Sequence, residues 1–320
     1  MSELITSGQM AAQAKKTSGL FVCPDDRENL NSFFYTVEVK DAQGVAFLRR
    51  LLTIDVKNIH RGEVRQSFIL NALGLITDFV WVAHLPDSDD HYRVIFQSLD
   101  TLAWMHQVAK AFDEDFTQIE TTSALLFTEQ SDSPHGSLTD GKVQTMKTGK
   151  GEILLMRVGQ MSLLQGPAEA FAGFNHPGIE KLDELAALTL SYTAARPLSF
   201  GWQASDLMPS DLDGAHFIDF SDPSRMFIGR ALTEARLKAQ PSKKAVVLVS
   251  HQDDPQSWFE NPVEVNLLTE KGEVVAKTAF VGLLGDKLIG VFFIDESLDS
   301  EKLLWVSEGS SDGYRVEVLQ

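Results

Sequence analysis

One stretch, Gln66–Leu85, constrains the fold more than any other part of the chain. It reads QSFILNALGLITDFVWVAHL, an apolar run that is interrupted by Asn, Gly and Asp residues. A run of this length could cross a membrane, but a carboxylate inside hydrocarbon is costly. Because Asn and Gly accept the backbone angles of a tight turn, the stretch instead predicts two buried strands, Ser67–Leu70 and Leu75–His84, joined at 71–74.

Asp78 is the best candidate for a functional side chain. It would lie within the second strand, beside Phe79 and Trp81, which are expected to be core residues. A carboxylate in such surroundings is either satisfied by hydrogen bonds or positioned for chemistry. The structural alternative is that Asp78 caps a backbone donor or pairs with Arg61 or Arg65. The functional alternative is that it orients or protonates the amine of a ligand, while the arginines hold an anionic ligand tail.

The composition is typical of a globular protein and disfavours nonspecific binding to nucleic acid or an anionic membrane. The chain has 320 residues, enough for two or three domains, and 43% of them are apolar. Lys and Arg number 28 against 45 Asp and Glu, which gives a net charge of −17. This balance disfavours binding to nucleic acid or an anionic membrane. With a single cysteine, Cys23, and no segment typical of a secretory signal, we expect a soluble cytoplasmic protein.

The pattern of apolar residues predicts an α+β protein in three parts. Residues 1–19 are polar and predict a flexible arm, and 20–240 alternate irregularly between strands and helices. Residues 241–320 consist almost entirely of short strand patterns, which predict a small β-barrel. The predicted linker before this barrel is Gln240–Lys244. The predicted helices are Val45–Leu52, Asp100–Phe112, Ile179–Leu190 and a short helix after Gly229.

Common signatures of nucleotide-binding proteins, hydrolases and metalloenzymes are absent from the sequence. Gly149 and Gly151 belong to neither a P-loop nor a dinucleotide-binding loop, and there is no G-x-S-x-G motif. His84, His91 and His106 lack the close spacing of metal ligands, so no metal site is expected.

Four segments, taken together, resemble the aminomethyltransferase superfamily, which comprises the glycine-cleavage T-protein and its folate-binding relatives. The first two correspond to a helix of the form F-L-x-x-L-x-T-x-D-V and a hairpin of the form N-x-x-G-x-I-x-D. The last two correspond to an F/Y-G-x-E/D-x-D segment and an F-I-G-x-E-A-L turn. In this chain they read FLRRLLTIDVKNI (Phe47–Ile59), RQSFILNALGLITDFVWV (Arg65–Val82), FGWQASDLMPSDL (Phe200–Leu212) and FIGRAL (Phe227–Leu232).

The resemblance implies a three-domain, folate-binding fold with a C-terminal β-barrel and a central cavity for tetrahydrofolate. Residues 20–240 would form the folate-binding region as two intertwined α+β subdomains. Asp78 matches the hairpin carboxylate that lies near the reactive folate nitrogens, and it would position the acceptor amine and manage its proton. Asn71 of the same hairpin would also contact the ligand. The other implied ligand contacts are Arg61, Arg65 and Arg230 for the glutamate tail and Trp202 for an aromatic wall.

Three departures from the family pattern separate this chain from a typical aminomethyltransferase. The Glu that follows the F-I-G turn in the family is missing, and Arg230-Ala231 stand there instead. The segment LTLSYTAARPLSFG, Leu188–Gly201, lacks the acidic residue that would accept paired hydrogen bonds from the pterin ring. The K-G-C-Y-x-G-Q-E signature of the branch linked to iron–sulfur maintenance and tRNA modification corresponds to Ser224–Ala231, where Met226 replaces the cysteine. The F-L-x-x-L-x-T-x-D-V helix and the compact length of the chain nevertheless resemble that branch more than the full glycine-cleavage enzyme.

The sequence thus predicts a divergent tetrahydrofolate-binding protein that acts in one-carbon transfer or iron–sulfur cluster maintenance. If it is an enzyme, it is a folate-dependent aminomethyl- or methyltransferase. The alternative is a non-catalytic scaffold with the same fold and a repurposed pocket. The expected partner is a small-molecule folate, and the sequence names no protein partner.

Overall fold

The computed structural model describes most of the chain between residues 19 and 319. The described residues are 19–22, 25–26, 31–32, 34–127, 139–159, 161–172, 180–181, 207–212, 214–238, 243–250, 265–269, 271–284, 287–295, 297–299, 303–307, 314–315 and 317–319.

The first 240 residues contain thirteen of the described strands and four described α-helices. The strands are β1 (Gly19–Val22), β2 (Asp25–Asp26), β3 (Asn31–Ser32), β4 (Tyr35–Val39), β5 (Glu63–Leu70), β6 (Ile76–His84), β7 (Tyr92–Phe96), β8 (Thr117–Ile119), β9 (Thr122–Phe127), β10 (Val143–Thr148), β11 (Gly151–Val158), β12 (Met161–Gly166) and β13 (Glu180–Lys181). The helices are α1 (Ala42–Leu51), α2 (Leu99–Phe112), α3 (Ala168–Phe171) and α4 (Arg230–Leu237).

These strands form two main sheets. One has five strands in the order β5-β6-β7-β4-β8, and the other has six in the order β10-β11-β12-β9-β1-β13. All neighbours are antiparallel except β1 and β13, which run parallel. The short strands β2 and β3 pair with each other. The α+β prediction is therefore confirmed.

The five-stranded sheet lies between a helical layer and the six-stranded sheet. Alternate residues of a strand face opposite sides, so β6 contributes to two cores. Val80 and Val82 pack with α1 and α2, whereas Trp81 and Ala83 pack with apolar residues of β9, β11 and β12. Trp81 is fully buried and Phe79 nearly so, which confirms their predicted place in the core.

The C-terminal residues are β-structured, as predicted. The described strands are β14 (Lys243–Ser250), β15 (Val265–Thr269), β16 (Val274–Leu284), β17 (Lys287–Asp295), β18 (Leu303–Ser307), β19 (Tyr314–Arg315) and β20 (Glu317–Leu319). They form one antiparallel sheet in the order β19-β18-β15-β16-β17-β14-β20. Closure of this sheet into a barrel and the three-part division of the chain stay predictions.

Two sequence predictions are wrong where the structure describes the residues. Glu180–Lys181, inside the predicted helix Ile179–Leu190, form a strand that pairs with Gly19 and Leu20, so tertiary pairing overrides the local helical pattern. The rest of that segment lies outside the described residues. Lys243 and Lys244, predicted as linker, already pair with Asp295 and Ile294 in the C-terminal sheet. Of the predicted N-terminal arm, only Gly19 is described, and it belongs to β1.

Candidate functional site

The hairpin predicted from the sequence is present, and its turn is stabilised by the two residue types that identified it. The Asn71 Oδ1 atom accepts hydrogen bonds from the backbone N–H groups of Leu73, at 2.9 Å, and Leu75, at 3.1 Å. Gly74 adopts a φ of +77°, a conformation that disfavours residues with a Cβ. β5 and β6 then pair with a register shift at Ile69, which lies opposite Asp78.

A second glycine turn, from the FIGRAL segment, packs directly on this hairpin turn. Gly229 precedes α4 with a φ of +82°. A Cβ on Gly229 would lie 2.7 Å from the carbonyl oxygen of Asn71 and 2.9 Å from the Cα of Gly74. Real Cβ atoms essentially never approach other atoms this closely. The two turns can therefore touch only because residue 229 is a glycine.

The end of the third segment also reaches the hairpin. The carbonyl oxygen of Leu207 accepts a 2.7 Å hydrogen bond from the backbone N–H of Ile76. The Leu207 side chain is buried in a cluster with Phe68, Ile76 and Phe227. Residues 200–206 of this segment, including Trp202, lie outside the described residues.

The first segment joins the same region through a buried arginine that the sequence did not single out. Arg225 is 4% exposed, and its guanidinium donates hydrogen bonds to backbone carbonyls. The acceptors are Arg49, Leu52, Thr53, Ile54 and Asp219. Burial lowers the pKa of Arg225 to about 10. No sequence signal marks this role, because a backbone carbonyl has the same chemistry in every residue.

Asp78 lies at the start of β6 and faces the helical layer. Its Oδ2 atom accepts hydrogen bonds from the Thr101 hydroxyl at 2.8 Å and from the backbone N–H of Ser98 at 3.3 Å. Its Oδ1 atom accepts one from the backbone N–H of Phe79 at 2.8 Å. Ser98 is the N-cap of α2, so the carboxylate connects the hairpin to the first turn of that helix. The structural alternative is confirmed in part: Asp78 caps backbone donors.

The environment of Asp78 changes its acidity. The residue is 8% exposed, and burial raises the pKa of its carboxyl group to about 6, against the lowering effect of the Thr101 hydroxyl and the backbone donors. The positive end of the α2 dipole also favours the ionised form. The outcome is a carboxylate that exchanges a proton near neutral pH.

Two of the predicted arginines lie towards the other end of the hairpin. Arg61 pairs with Asp89 in the loop after β6. Arg65 is paired in register with Val82, about 13 Å along the strand from Asp78. The Arg65 side chain is 51% exposed, and its Nη2 atom lies 3.9 Å from a Glu63 carboxylate oxygen. Neither arginine is brought to Asp78.

Arg230 lies close to the converging turns but serves the backbone. It is 7% exposed, and its Nη1 atom donates hydrogen bonds to the carbonyl oxygens of Arg225 and, at 2.8 Å, Asp222. Its Nε atom lies 3.9 Å from a Glu234 carboxylate oxygen. Of the predicted site residues, Asn71, Asp78 and Arg230 thus belong to the region where the four segments meet. Thr101 and Arg225 are the participants that sequence reasoning missed.

Three further observations concern cavities, metal sites and membrane-spanning helices. The described residues line a cavity of about 500 Å³, but Asp78 is not among its lining residues. Within the described ranges, no group of three or more His, Cys, Asp or Glu side chains is arranged to hold a metal ion. No helix in the part of the chain that the structure describes is long and apolar enough to span a membrane.

Comparison with solved structures finds proteins of similar fold. The glycine cleavage system aminomethyltransferase T from Bartonella henselae superposes with a TM-score of 0.74 and 16% identity, over 96% of this chain and 87% of that one. The heterotetrameric sarcosine oxidase from Corynebacterium sp. U-96 matches 62% of this chain and 98% of that one, with 12% identity and a TM-score of 0.30, too low to support an argument.

Sequence comparison alone finds no relative. No protein-family model matches the chain, and no curated protein matches it. The likeness is therefore one of three-dimensional structure over nearly the whole chain, and the converging segments are those that carry the sequence resemblance. The chain has the fold of an aminomethyltransferase.

Proposed function

We propose that this protein binds a reduced folate, tetrahydrofolate or a one-carbon derivative of it, beside Asp78. The observation that carries the proposal is the buried Asp78 carboxyl group, whose pKa is raised to about 6, in the hairpin whose turn contacts Gly229 and Leu207 of two other family-like segments. A carboxyl group with this acidity can accept and return the proton of a ligand amine at physiological pH. The aminomethyltransferase fold supports the choice of ligand, because the sequence resemblance implies folate for that fold.

In this proposal the ligand amine replaces the Thr101 hydroxyl as a donor to Asp78. A hydroxyl group can rotate to another acceptor, whereas the backbone donors of Phe79 and Ser98 are fixed. Arg65 is the candidate for the anionic tail, since its exposed side chain follows β5 away from Asp78. One-carbon transfer and iron–sulfur maintenance would both begin with this binding step.

The test is a titration with 5-formyltetrahydrofolate followed by tryptophan fluorescence. We expect a saturable change for the native protein and at least tenfold weaker binding for Asp78→Asn. The matched control is Asp100→Asn. It removes an exposed carboxylate from the first turn of α2, the helix whose N-terminal residues contact Asp78. It should bind as the native protein does.

Two results would contradict the proposal in different ways. If the native protein shows no saturable change, folate binding is rejected. If Asp78→Asn binds as tightly as Asp100→Asn, folate binds but Asp78 does not contact it. Circular dichroism of each variant checks that the fold is intact.

A scaffold without catalysis is the second candidate function, and one observation favours it. The acceptor positions of Asp78 are occupied by the protein's own groups: the Thr101 hydroxyl and the backbone of Phe79, Ser98 and Gln97. A carboxylate has about four such positions. Arg230 is likewise used by backbone carbonyls. On this alternative, the titration shows no folate binding and Asp78→Asn changes only stability.

A further inference from the structure

The cavity of about 500 Å³ lies between the two main sheets, away from Asp78. Leu85 and Asp87, just beyond the far end of β6, bound it on one side. Seven residues of extended chain separate Asp78 from Leu85, which corresponds to about 23 Å. Glu152 of β11 and Gln165 of β12 bound the opposite side. A molecule in this cavity would therefore not contact Asp78.

Arg93 lines the cavity and has N–H donors to spare. A guanidinium group carries five of them. The Nε and Nη2 atoms donate to the Glu38 carboxylate at 3.0 and 2.6 Å, and Nη1 donates to the side-chain oxygen of Gln165 at 3.2 Å. With no further partner among the described residues, three of the five donors are used and two remain. The Arg93 side chain is 16% exposed and belongs to the lining, so a molecule in the cavity can offer these two donors an acceptor.

Gln165 supplies an acceptor beside these donors. The residue is 1% exposed and belongs to the cavity lining. Its amide nitrogen donates to the hydroxyls of Thr36, at 2.8 Å, and Ser123, at 3.2 Å, which orients the amide so that its oxygen faces Arg93. That oxygen has two lone pairs, and Arg93 uses one of them. The floor of the cavity thus presents unused donors next to an unused acceptor position.

The carboxylates of the lining already have partners. Asp87 accepts a 2.8 Å hydrogen bond from the His91 ring. Glu152 lies 3.9 Å from the Lys147 ammonium group, and Glu120 has an interaction of its own. The lining therefore does not call for a cation.

Arg93 does not call for an anion either, because Glu38 balances its charge. Glu38 is 5% exposed, and although burial favours its protonated form, the hydrogen bonds and charge of Arg93 lower its pKa to about 2. A second carboxylate on the same guanidinium would lie close to the ionised Glu38 and would be repelled by it. The unused hydrogen-bonding groups thus favour a neutral partner.

Apolar side chains form the walls around this polar floor. They are Leu85, Pro86, Ile119, Leu154 and Pro167. A volume of about 500 Å³ lies in the range of small-molecule sites, which typically combine apolar walls with a few polar groups that fix orientation. An occupant needs a hydrocarbon body for the walls, and both an acceptor and a donor for the floor.

We propose that this cavity binds a neutral organic molecule with a carboxamide group, whose carbonyl oxygen accepts from Arg93 and whose N–H donates to Gln165. Its hydrocarbon body lies against the apolar walls. The corresponding carboxylate has no N–H for Gln165 and adds negative charge beside Glu38. The corresponding amine brings its positive charge to the Arg93 guanidinium.

The test of the ligand class is calorimetric titration of the full chain with benzamide, benzoate and benzylamine, three molecules of similar size that differ in charge. We expect saturable binding of benzamide and at least tenfold weaker binding of the other two. Asp78→Asn should bind benzamide as the native protein does, which separates this site from the folate proposal.

A matched pair of variants tests the location. Thr145 is an exposed residue of β10 that lines the cavity, so Thr145→Trp fills the cavity and leaves the buried network untouched. We expect at least tenfold weaker binding of benzamide. The control is Gln144→Trp, because Gln144 is also exposed but faces the other side of the strand, outside the lining. It should change affinity less than twofold.

Arg93→Lys tests the donors directly. It keeps a positive charge for Glu38 but removes the planar set of N–H groups, so benzamide should bind at least tenfold more weakly. Circular dichroism checks that each variant is folded. If Arg93→Lys does not fold, the three molecules and the two Trp variants still decide the question.

Three outcomes would overturn the inference. One is the absence of saturable heat when benzamide is added to the native protein. Another is binding of benzoate or benzylamine that is as tight as that of benzamide, because charge or the ring alone would then explain it. The third is an equal effect of the two Trp variants, which would place benzamide outside this cavity.

Discussion

Two opposing effects act on the protonation of the Asp78 carboxyl group. Burial favours the protonated form, while the hydroxyl and N–H donors of α2 and its N-cap favour the ionised form. Burial is the larger influence, so the folded protein binds a proton at Asp78 more tightly than the unfolded chain does. Stability is then linked to pH through this residue.

The linkage gives a prediction with a definite sign. The pKa of Asp78 rises from 3.8 in the unfolded chain to about 6 in the folded protein. Its stabilising effect is complete below pH 4 and is lost as pH rises through 6. The difference amounts to about 3 kcal/mol at one pKa unit per 1.36 kcal/mol. We expect the stability of the native protein relative to Asp78→Asn to fall by roughly this amount between pH 4 and pH 7.5.

Urea unfolding of both proteins across that pH range measures the difference. Taking the difference between the two proteins removes the contribution of all other titratable groups, because both proteins contain them. A difference in stability that does not change with pH would show that Asp78 has an ordinary pKa.

The sequence indicated the burial of Asp78 but not its partners. Apolar neighbours in the sequence were enough to predict that the carboxyl group is enclosed. Thr101 and Ser98 lie 23 and 20 residues further along the chain, and only the packing of α2 on the sheet brings them to Asp78. Arg225 shows the same limit, because the carbonyls that bind it are marked by no residue type.

At the scale of elements, the contact between two turns fixes the position of α4. Gly74 and Gly229 meet with no side chain between them, and α4 begins at the next residue. A side chain at position 229 would reduce stability in two ways, by steric clash and by backbone strain. The two effects can be separated because Gly272 has nearly the same φ but no neighbouring atoms.

Gly229→Ala should be much more destabilising than Gly272→Ala. The two glycines have nearly the same φ, +82° and +81°, so both substitutions incur the same conformational cost, about 1–2 kcal/mol. Only at Gly229 does the new Cβ clash with backbone, whereas at Gly272 nothing lies within 4 Å. We expect at least 2 kcal/mol of additional destabilisation for Gly229→Ala in urea unfolding. Equal effects would show that the turns separate easily.

Periodicity predicted most elements because their apolar faces are long enough to show a repeat. The helix over Leu99–Phe112 and the hairpin strands were predicted to within a few residues. The two-residue strand Glu180–Lys181 could not be predicted in this way. It exists only because β1, from the start of the chain, lies beside it.

At the scale of the whole molecule, a buried polar network joins the two main sheets. Arg93 of the five-stranded sheet donates both to Glu38 and to Gln165 of the six-stranded sheet. The Gln165 amide in turn donates to the hydroxyls of Thr36, at 2.8 Å, and Ser123, at 3.2 Å. Hydrogen bonds to the Arg93 guanidinium, with its charge, lower the pKa of Glu38 to about 2 against the effect of burial.

Replacing Glu38 should destabilise the folded protein in a pH-dependent manner. A depressed pKa means that the carboxylate stabilises the fold above its unfolded pKa of 4.5 and loses this effect as pH falls towards 2. Glu38→Gln should therefore cost about 3 kcal/mol at pH 7 and progressively less in acid. Urea unfolding at pH 7 and pH 3, with Glu273→Gln as the exposed control, measures this. A cost that is equal at both pH values would contradict it.

The place of β1 in the six-stranded sheet has a consequence for the order in which the protein can fold during synthesis. Gly19–Val22 are synthesised before both of the segments with which they pair, Ala124–Phe127 and Glu180–Lys181, which follow a hundred or more residues later. The five-stranded sheet needs only residues 35–119, so it can form while the first strand still waits for a partner. A chain truncated before residue 122 would therefore contain all the strands of the five-stranded sheet, while Gly19–Val22 would lack both of their partners.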